Sequence, residues 1–260
     1  MIYNHKELLN TLKSLKSDYN VVGIKSSFED EGVKFEELIK LRQLCLSTDI
    51  FLNMKIGGCE AISDINNCLV LNVDGMVAPM VESPFALEKF ITSLDDNLTP
   101  QLRQKIKCYV NIESKTAYDN ITDIISSDYC RYLNGIVLGR SDLCKSFGLT
   151  KSNVNDDEIF NIVRDVFEQA KEYKLNTIMG GSISVDSVDF VKKLYKQNLL
   201  DKIETRNVVF ELDDNNINNL SEAIKNAITF ESLWLRSKSS YYMNIGNSYL
   251  NRASLLDERI

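Results

Sequence analysis

The chain holds one histidine, one tryptophan and three prolines among 260 residues. Each scarcity narrows the chemistry. A zinc site built on imidazole has nothing to draw on, because the lone histidine is His5 near the N-terminus. The six cysteines (Cys45, Cys59, Cys68, Cys108, Cys130 and Cys144) form no C-x-x-C pair. Most lie inside apolar stretches, which reads as buried, reduced thiols of a cytoplasmic protein. No run approaches the ~20 apolar residues of a membrane span, and the N-terminal residues do not have the make-up of a signal peptide. No membrane partner is expected. Basic runs are also missing, and the net charge of −7 argues against a nucleic-acid partner. A small anion can still be bound locally by an acidic protein. No Pro/Gly/Ser-rich linker divides the chain, so one domain is expected. Nor is there a G-x-G-x-x-G turn, which speaks against a doubly wound dinucleotide-binding sheet.

What the chain does contain is an alternation of two textures. Short apolar runs lie at Asn20–Ser26, Ile50–Lys55, Gly75–Met80, Lys107–Ile112, Gly135–Leu138, Asn176–Met179 and Asn207–Leu212. Between them are stretches of helical period, for example Ile159, Ile162, Val163, Val166, Phe167 and Ala170. Compact apolar strands alternating with helices over short connections imply a parallel sheet with helices outside. At this length the expected fold is α/β, a (β/α)8 TIM barrel with additional C-terminal helices. Seven strands are legible. The eighth is either formed by the N-terminal residues or too weak to stand out. The barrel is expected over residues 1–229, with a helical extension over residues 230–260.

In such barrels the chemistry sits at the C-terminal ends of the strands. Those ends read Lys25 to Gly32, Lys55-Ile56-Gly57-Gly58, Pro79 to Pro84 with Glu82 inside, Asn111-Ile112-Glu113-Ser114, and Gly139-Arg140-Ser141-Asp142. A carboxylate at a strand end is costly to bury unless it is paired or binds a metal. Glu113 and Asp142 follow neighbouring strands, about 4.8 Å apart, and could share one ion; two hard carboxylates suit Mg²⁺ or Mn²⁺. Alternatively, Glu113 caps the next helix and Asp142 makes a local turn. Gly139 before Arg140 and Ser141 allows backbone N–H groups to turn toward an anion. Lys55 at the mouth could neutralise a carboxylate or a developing enolate, or could form a salt bridge with Glu29 or Glu82.

The strings Val77-Ala78-Pro79-Met80-Val81-Glu82-Ser83, Val110-Asn111-Ile112-Glu113-Ser114 and Leu138-Gly139-Arg140-Ser141-Asp142-Leu143, in this order, resemble the HpcH/HpaI aldolase and citrate lyase β-subunit family of the phosphoenolpyruvate/pyruvate superfamily. The resemblance covers roughly residues 20–212. It implies that Glu113 and Asp142 bind Mg²⁺ or Mn²⁺, and that the amides from Gly139 to Asp142 hold a carboxylate. It further implies a carbon–carbon lyase or aldolase acting on a 2-oxo acid through a metal-stabilised enolate. Lys55 stands where relatives carry an arginine, and Phe28-Glu29-Asp30 resembles an L-E-D segment of the citrate-lyase-like branch. Lys55 and Glu29 are thus the catalytic candidates, and Lys25, Glu82, Gly139, Arg140 and Ser141 the substrate-binding ones. The histidine that related aldolases use as a base is missing. Two other readings stand beside the aldolase: a lyase or thioesterase for a short acyl-CoA, and a non-catalytic metabolite-binding barrel. The apolar tail from Phe230 to Leu256 suggests a homo-oligomer with Trp234, Tyr241 and Tyr242 in its interface.

Overall fold

The computed structural model describes residues 5–28 and 32–260. Glu29 therefore lies outside the described residues. Among these, eight strands close into one barrel in chain order: β1 (Val21–Ser27), β2 (Phe51–Lys55), β3 (Gly75–Ala78), β4 (Lys107–Ile112), β5 (Gly135–Gly139), β6 (Asn176–Gly180), β7 (Lys202–Glu204) and β8 (Val208–Glu211). Among the described residues, the segment before β1 is a helix, His5–Tyr19, and not a strand. The strand missing from the seven legible ones is β7. Three residues are too few to show a pattern.

β1 to β7 pair in parallel. β8 is reversed, antiparallel to both β7 and β1. The connection explains the reversal. Only residues 205–207 separate β7 from β8, and a parallel return needs a crossover of a dozen or more residues. The hairpin turn at 205–207 consequently sits at the barrel mouth, beside the C-terminal ends of the other strands.

Alternate residues of each strand point into the barrel. Val77, Tyr109, Val137 and Ile178 form a small apolar plug inside it. The large core lies outside, between the strands and the helices. The prolines punctuate junctions. Pro84 and Pro100 open helices whose caps, Ser83 and Thr99, accept from the N–H groups of Ala86 and Leu102.

The C-terminal helix is continuous over Leu220–Asp257 and crosses residue 229 without a break. A single helix thus takes the place of the several expected. It packs against the first helix. Phe230 and Trp234 are buried against this chain's own barrel, so the sole tryptophan is already covered. Tyr242 donates to Glu37 Oε1 at 2.6 Å, and Lys40 lies 3.7 Å from the Tyr241 ring centre. Both tyrosines therefore latch the helix onto the neighbouring helix Phe35–Thr48. No helix among the described residues is long and apolar enough to cross a membrane.

Candidate functional site

A cavity of about 330 Å³ opens at the C-terminal end of the strands, with Lys25, Lys55, Asn111, Glu113, Asp142 and Glu204 on its wall. Its floor is made by register. Gly139 at the end of β5 pairs with Gly180 at the end of β6. Glu113, just past β4, folds over Gly139 from one side; Glu204, ending β7, folds over Gly180 from the other. A Cβ built on Gly139 would lie 2.9 Å from Glu113 Oε2, and one on Gly180 would lie 2.9 Å from Glu204 Oε1. Two bare glycines thus make room for two carboxylates that approach each other from strands three places apart, about 14 Å along the wall at 4.8 Å per strand.

Each carboxylate carries a lysine. Lys55 Nζ lies 3.3 Å from Glu113 Oε1 and 3.4 Å from Oε2. Lys25 Nζ donates to Glu204 Oε1 at 2.5 Å. Glu113 and Glu204 are only 3% and 5% exposed. Burying a carboxylate is tolerable here because each is paired and hydrogen-bonded. Glu113 also accepts from Asn111 Nδ2 at 2.8 Å and from the Met80 N–H at 3.2 Å. Met80 adopts a positive φ of 49° to turn that N–H inward. The helix after β4 is capped by Ser114, whose Oγ accepts from the Ala117 N–H, so Glu113 is not spent as a cap. Asp142 lies in the first turn of the helix Arg140–Ser146, half-exposed, with Lys145 Nζ at 2.8 Å.

The structure separates the other candidates. Gly139 and Ser141 line the cavity, and Ser141 Oγ lies 2.8 Å from Ser182 Oγ. Arg140 does not present its side chain there. It is wholly buried, donating to the carbonyls of Val154 and Gly181, to Asn155 Oδ1 and to Ser187 Oγ. The reason is the neighbouring loop, whose free carbonyls need a donor with a wide fork. Burial pulls this guanidinium down to about 10, still charged at neutral pH. Arg140 can serve an anion only through its backbone N–H. Glu82 likewise turns away from the cavity, taking a short hydrogen bond from Ser114 Oγ. The salt bridge of Lys55 is made with Glu113, not with Glu82.

The first N–H groups of the helix Arg140–Ser146 have no partner inside that helix. Gly181, at φ +78°, passes directly over them: a Cβ there would stand 2.5 Å from the nitrogens of both Arg140 and Ser141. Only glycine allows this approach.

Three contributors escape a strand-by-strand reading. Glu204 ends β7, a strand of three residues that shows no pattern. Asn111 points inward by simple alternation with Glu113. Glu231 comes from the C-terminal helix, yet it reaches the cavity wall and accepts from Thr205 Oγ1 at 2.5 Å and from the Asn207 N–H at 2.8 Å.

The fit to a divalent ion rests on oxygen donors. Glu113 and Asp142 border the same cavity, and Asn111 Oδ1 is buried without a hydrogen-bond partner among the described residues. No group of three His, Cys, Asp or Glu side chains that could hold a metal is found among the described residues. Two carboxylates leave most of a coordination shell to water and substrate, the usual situation of Mg²⁺.

Comparison with known proteins bears on the family and the fold. The family model of HpcH/HpaI aldolase/citrate lyase matches residues 56–193. No curated protein sequence matches the chain. Among solved structures, an HpcH/HpaI aldolase from Desulfitobacterium hafniense superposes with a TM-score of 0.62 at 12% identity, over 79% of this chain and 82% of that one. An HpcH/HpaI aldolase/citrate lyase family protein from Burkholderia cenocepacia gives 0.60 at 10% identity, over 86% and 89%. The citrate synthase SbnG gives 0.59 at 17%, over 87% and 88%. At these identities the likeness is one of fold.

Proposed function

The chain belongs to the HpcH/HpaI aldolase/citrate lyase family, and from that premise we propose that it is a metal-dependent carbon–carbon lyase or aldolase acting on a 2-oxo acid through an enolate. The observation that carries this reading is the sharing of one small polar cavity by Glu113, Asp142 and Lys55 at the strand ends. Its volume is at the low end of ligand pockets, a size suited to a small acid.

Glu113 and Asp142 would hold Mg²⁺ or Mn²⁺. When bound, the ion supplies Lewis-acid polarisation of a carbonyl oxygen. The rest falls to the chain's own residues. Backbone amides of the turn Gly139 to Asp142 would receive the carboxylate of the 2-oxo acid. Lys55, held by Glu113 at the cavity wall, places an ammonium where negative charge develops as the C–C bond breaks. Because an ammonium is a point donor and not a fork, this contact orients less than an arginine would.

The test is proton exchange. With Mg²⁺ and pyruvate in D₂O, the protein should catalyse loss of the pyruvate methyl proton signal, and chelator should stop it. An absence of exchange at any metal concentration would refute the enolate reading.

A further inference from the structure

We propose that Glu204, held by Lys25, is the proton carrier of this site, filling the role that no histidine can fill here. The proposal rests on the enolate reading above and adds the group that moves the proton.

Three independent observations converge on Glu204. The first is position. Glu113 lies over Gly139 and Glu204 over the paired Gly180, and both line one cavity, so a molecule held there meets Glu113 on one side and Glu204 on the other. A carboxylate lining that cavity but not assigned to the ion can take the hydroxyl proton of an aldol adduct.

The second is a buried carboxylate on the cavity wall. At 5% exposure, a carboxylate ending a three-residue strand is an expensive choice. Its Oε1 is bonded to Lys25 at 2.5 Å, and Gly180 is bare beneath it.

The third is the construction around it. Lys25 on β1 and Glu204 at the end of β7 are tied together by the turn at residues 205–207. The Lys25 N–H donates to the Asn207 carbonyl at 2.7 Å, and Asn207 Nδ2 returns a bond to the Lys25 carbonyl at 3.0 Å. Asn207 and Thr205 are in turn fastened to Glu231 on the C-terminal helix. A reversed last strand makes this possible, since it brings the hairpin turn to the mouth. Such bracing fixes the pair in place, the demand that positional catalysis makes of its supports.

The step balances with no other reactant. The Glu204 carboxylate takes the hydroxyl proton of the adduct, and the O–H electron pair becomes the new C=O bond. The adjacent C–C bond breaks, and its pair passes into the enolate. After the aldehyde leaves, the Glu204 carboxyl gives the proton to the enolate carbon, restoring the carboxylate. Lys25 is a positioning residue: it orients Glu204 and neutralises its neighbourhood throughout.

The experiment compares the parent with Glu204→Gln in two assays, Mn²⁺ titration and methyl exchange of pyruvate in D₂O with Mg²⁺. General acid–base groups contribute roughly 10²–10⁴-fold. Glu204→Gln should therefore bind Mn²⁺ within about twofold of the parent and exchange at least about 100-fold more slowly. Glu204→Asp should recover part of the rate. An exchange rate within threefold of the parent overturns the proposal. So does joint loss of Mn²⁺ binding, which would make Glu204 a prop of the metal site. If Glu204→Gln does not fold, Gly180→Ala serves: its Cβ displaces the same carboxylate, and unchanged exchange again overturns the proposal. A parent that shows no exchange fails the enolate reading itself, a different result from a parent that exchanges beside an equally active variant.

Discussion

Gly139→Ala isolates the packing on which the site depends. Gly139 has φ −92° and ψ 89°, a conformation open to alanine, so the backbone is not the obstacle. The obstacle is the new methyl group, 2.9 Å from Glu113 Oε2 and 3.0 Å from Glu113 Cβ. The carboxyl end can rotate away; the Cβ, one bond from the backbone, cannot. The edge of β4 or β5 must then give by a few tenths of an ångström, and Oε2 must leave the 2.8 Å hydrogen bond from Asn111. Overpacking of this kind costs about 1–3 kcal/mol, and the smaller unfolded-state entropy of alanine returns about 0.4–1 kcal/mol. The difference, a net loss of up to about 2.6 kcal/mol, corresponds to a Tm lower by up to roughly 10 °C in a domain of this size. Loss of one hydrogen bond to a charged acceptor, about 1.5–3 kcal/mol, should weaken Mn²⁺ binding by about tenfold or more. Calorimetric titration and a thermal melt measure both. Gly58→Ala is the control, because no atom lies within 4 Å of its new Cβ. A Gly139→Ala protein with the parent's Mn²⁺ affinity and Tm would refute the packing argument.

Lys55→Met should lower kcat and kcat/KM together by about 10²-fold, as for loss of an oxyanion donor; steady-state kinetics that match the parent would remove Lys55 from the chemistry. Glu231→Ala strips two acceptor contacts from the hairpin at residues 205–207, and urea unfolding should show a loss of about 2–4 kcal/mol. Stability should also fall in alkali. Burial pushes Cys45 up to about 12, Cys108 to about 11 and Tyr109 to about 12. These groups keep their protons in the folded state while the unfolded chain releases them, so stability is full below about pH 8.5 and declines as pH rises toward 11–12. A urea midpoint that stays level between pH 9 and 11 would contradict this.

Much of the barrel is legible in the sequence because most of its strands are long enough to carry a pattern and are separated by helices of regular period. β7 is not, since three residues cannot show alternation. The reversal of β8 is readable only once β7 is known, because the length of the intervening turn then forbids a crossover. Glu113, Asp142 and Lys55, which line one cavity, could be picked out because they end or closely follow clear strands. Arg140 shows the limit of that reasoning: a residue in the right loop was drawn instead to the backbone carbonyls behind it, and a sequence does not display unsatisfied carbonyls. Glu204 and Glu231 show the converse. One lies on an unrecognised strand, and the other belongs to a helix that looks like an appendage until its buried face, Phe230 and Trp234, is seen against the barrel. The remainder of that helix, including Met243, Tyr249 and Leu250, is exposed.

The most direct measurement is a calorimetric Mn²⁺ titration of the parent, Glu113→Gln and Asp142→Asn, with thermal melts to confirm that all three are folded. One ion per chain in the parent, and at least a tenfold weaker affinity in each folded variant, is the expected result. Parent-like Mn²⁺ binding in both variants would contradict the assignment of the metal to Glu113 and Asp142.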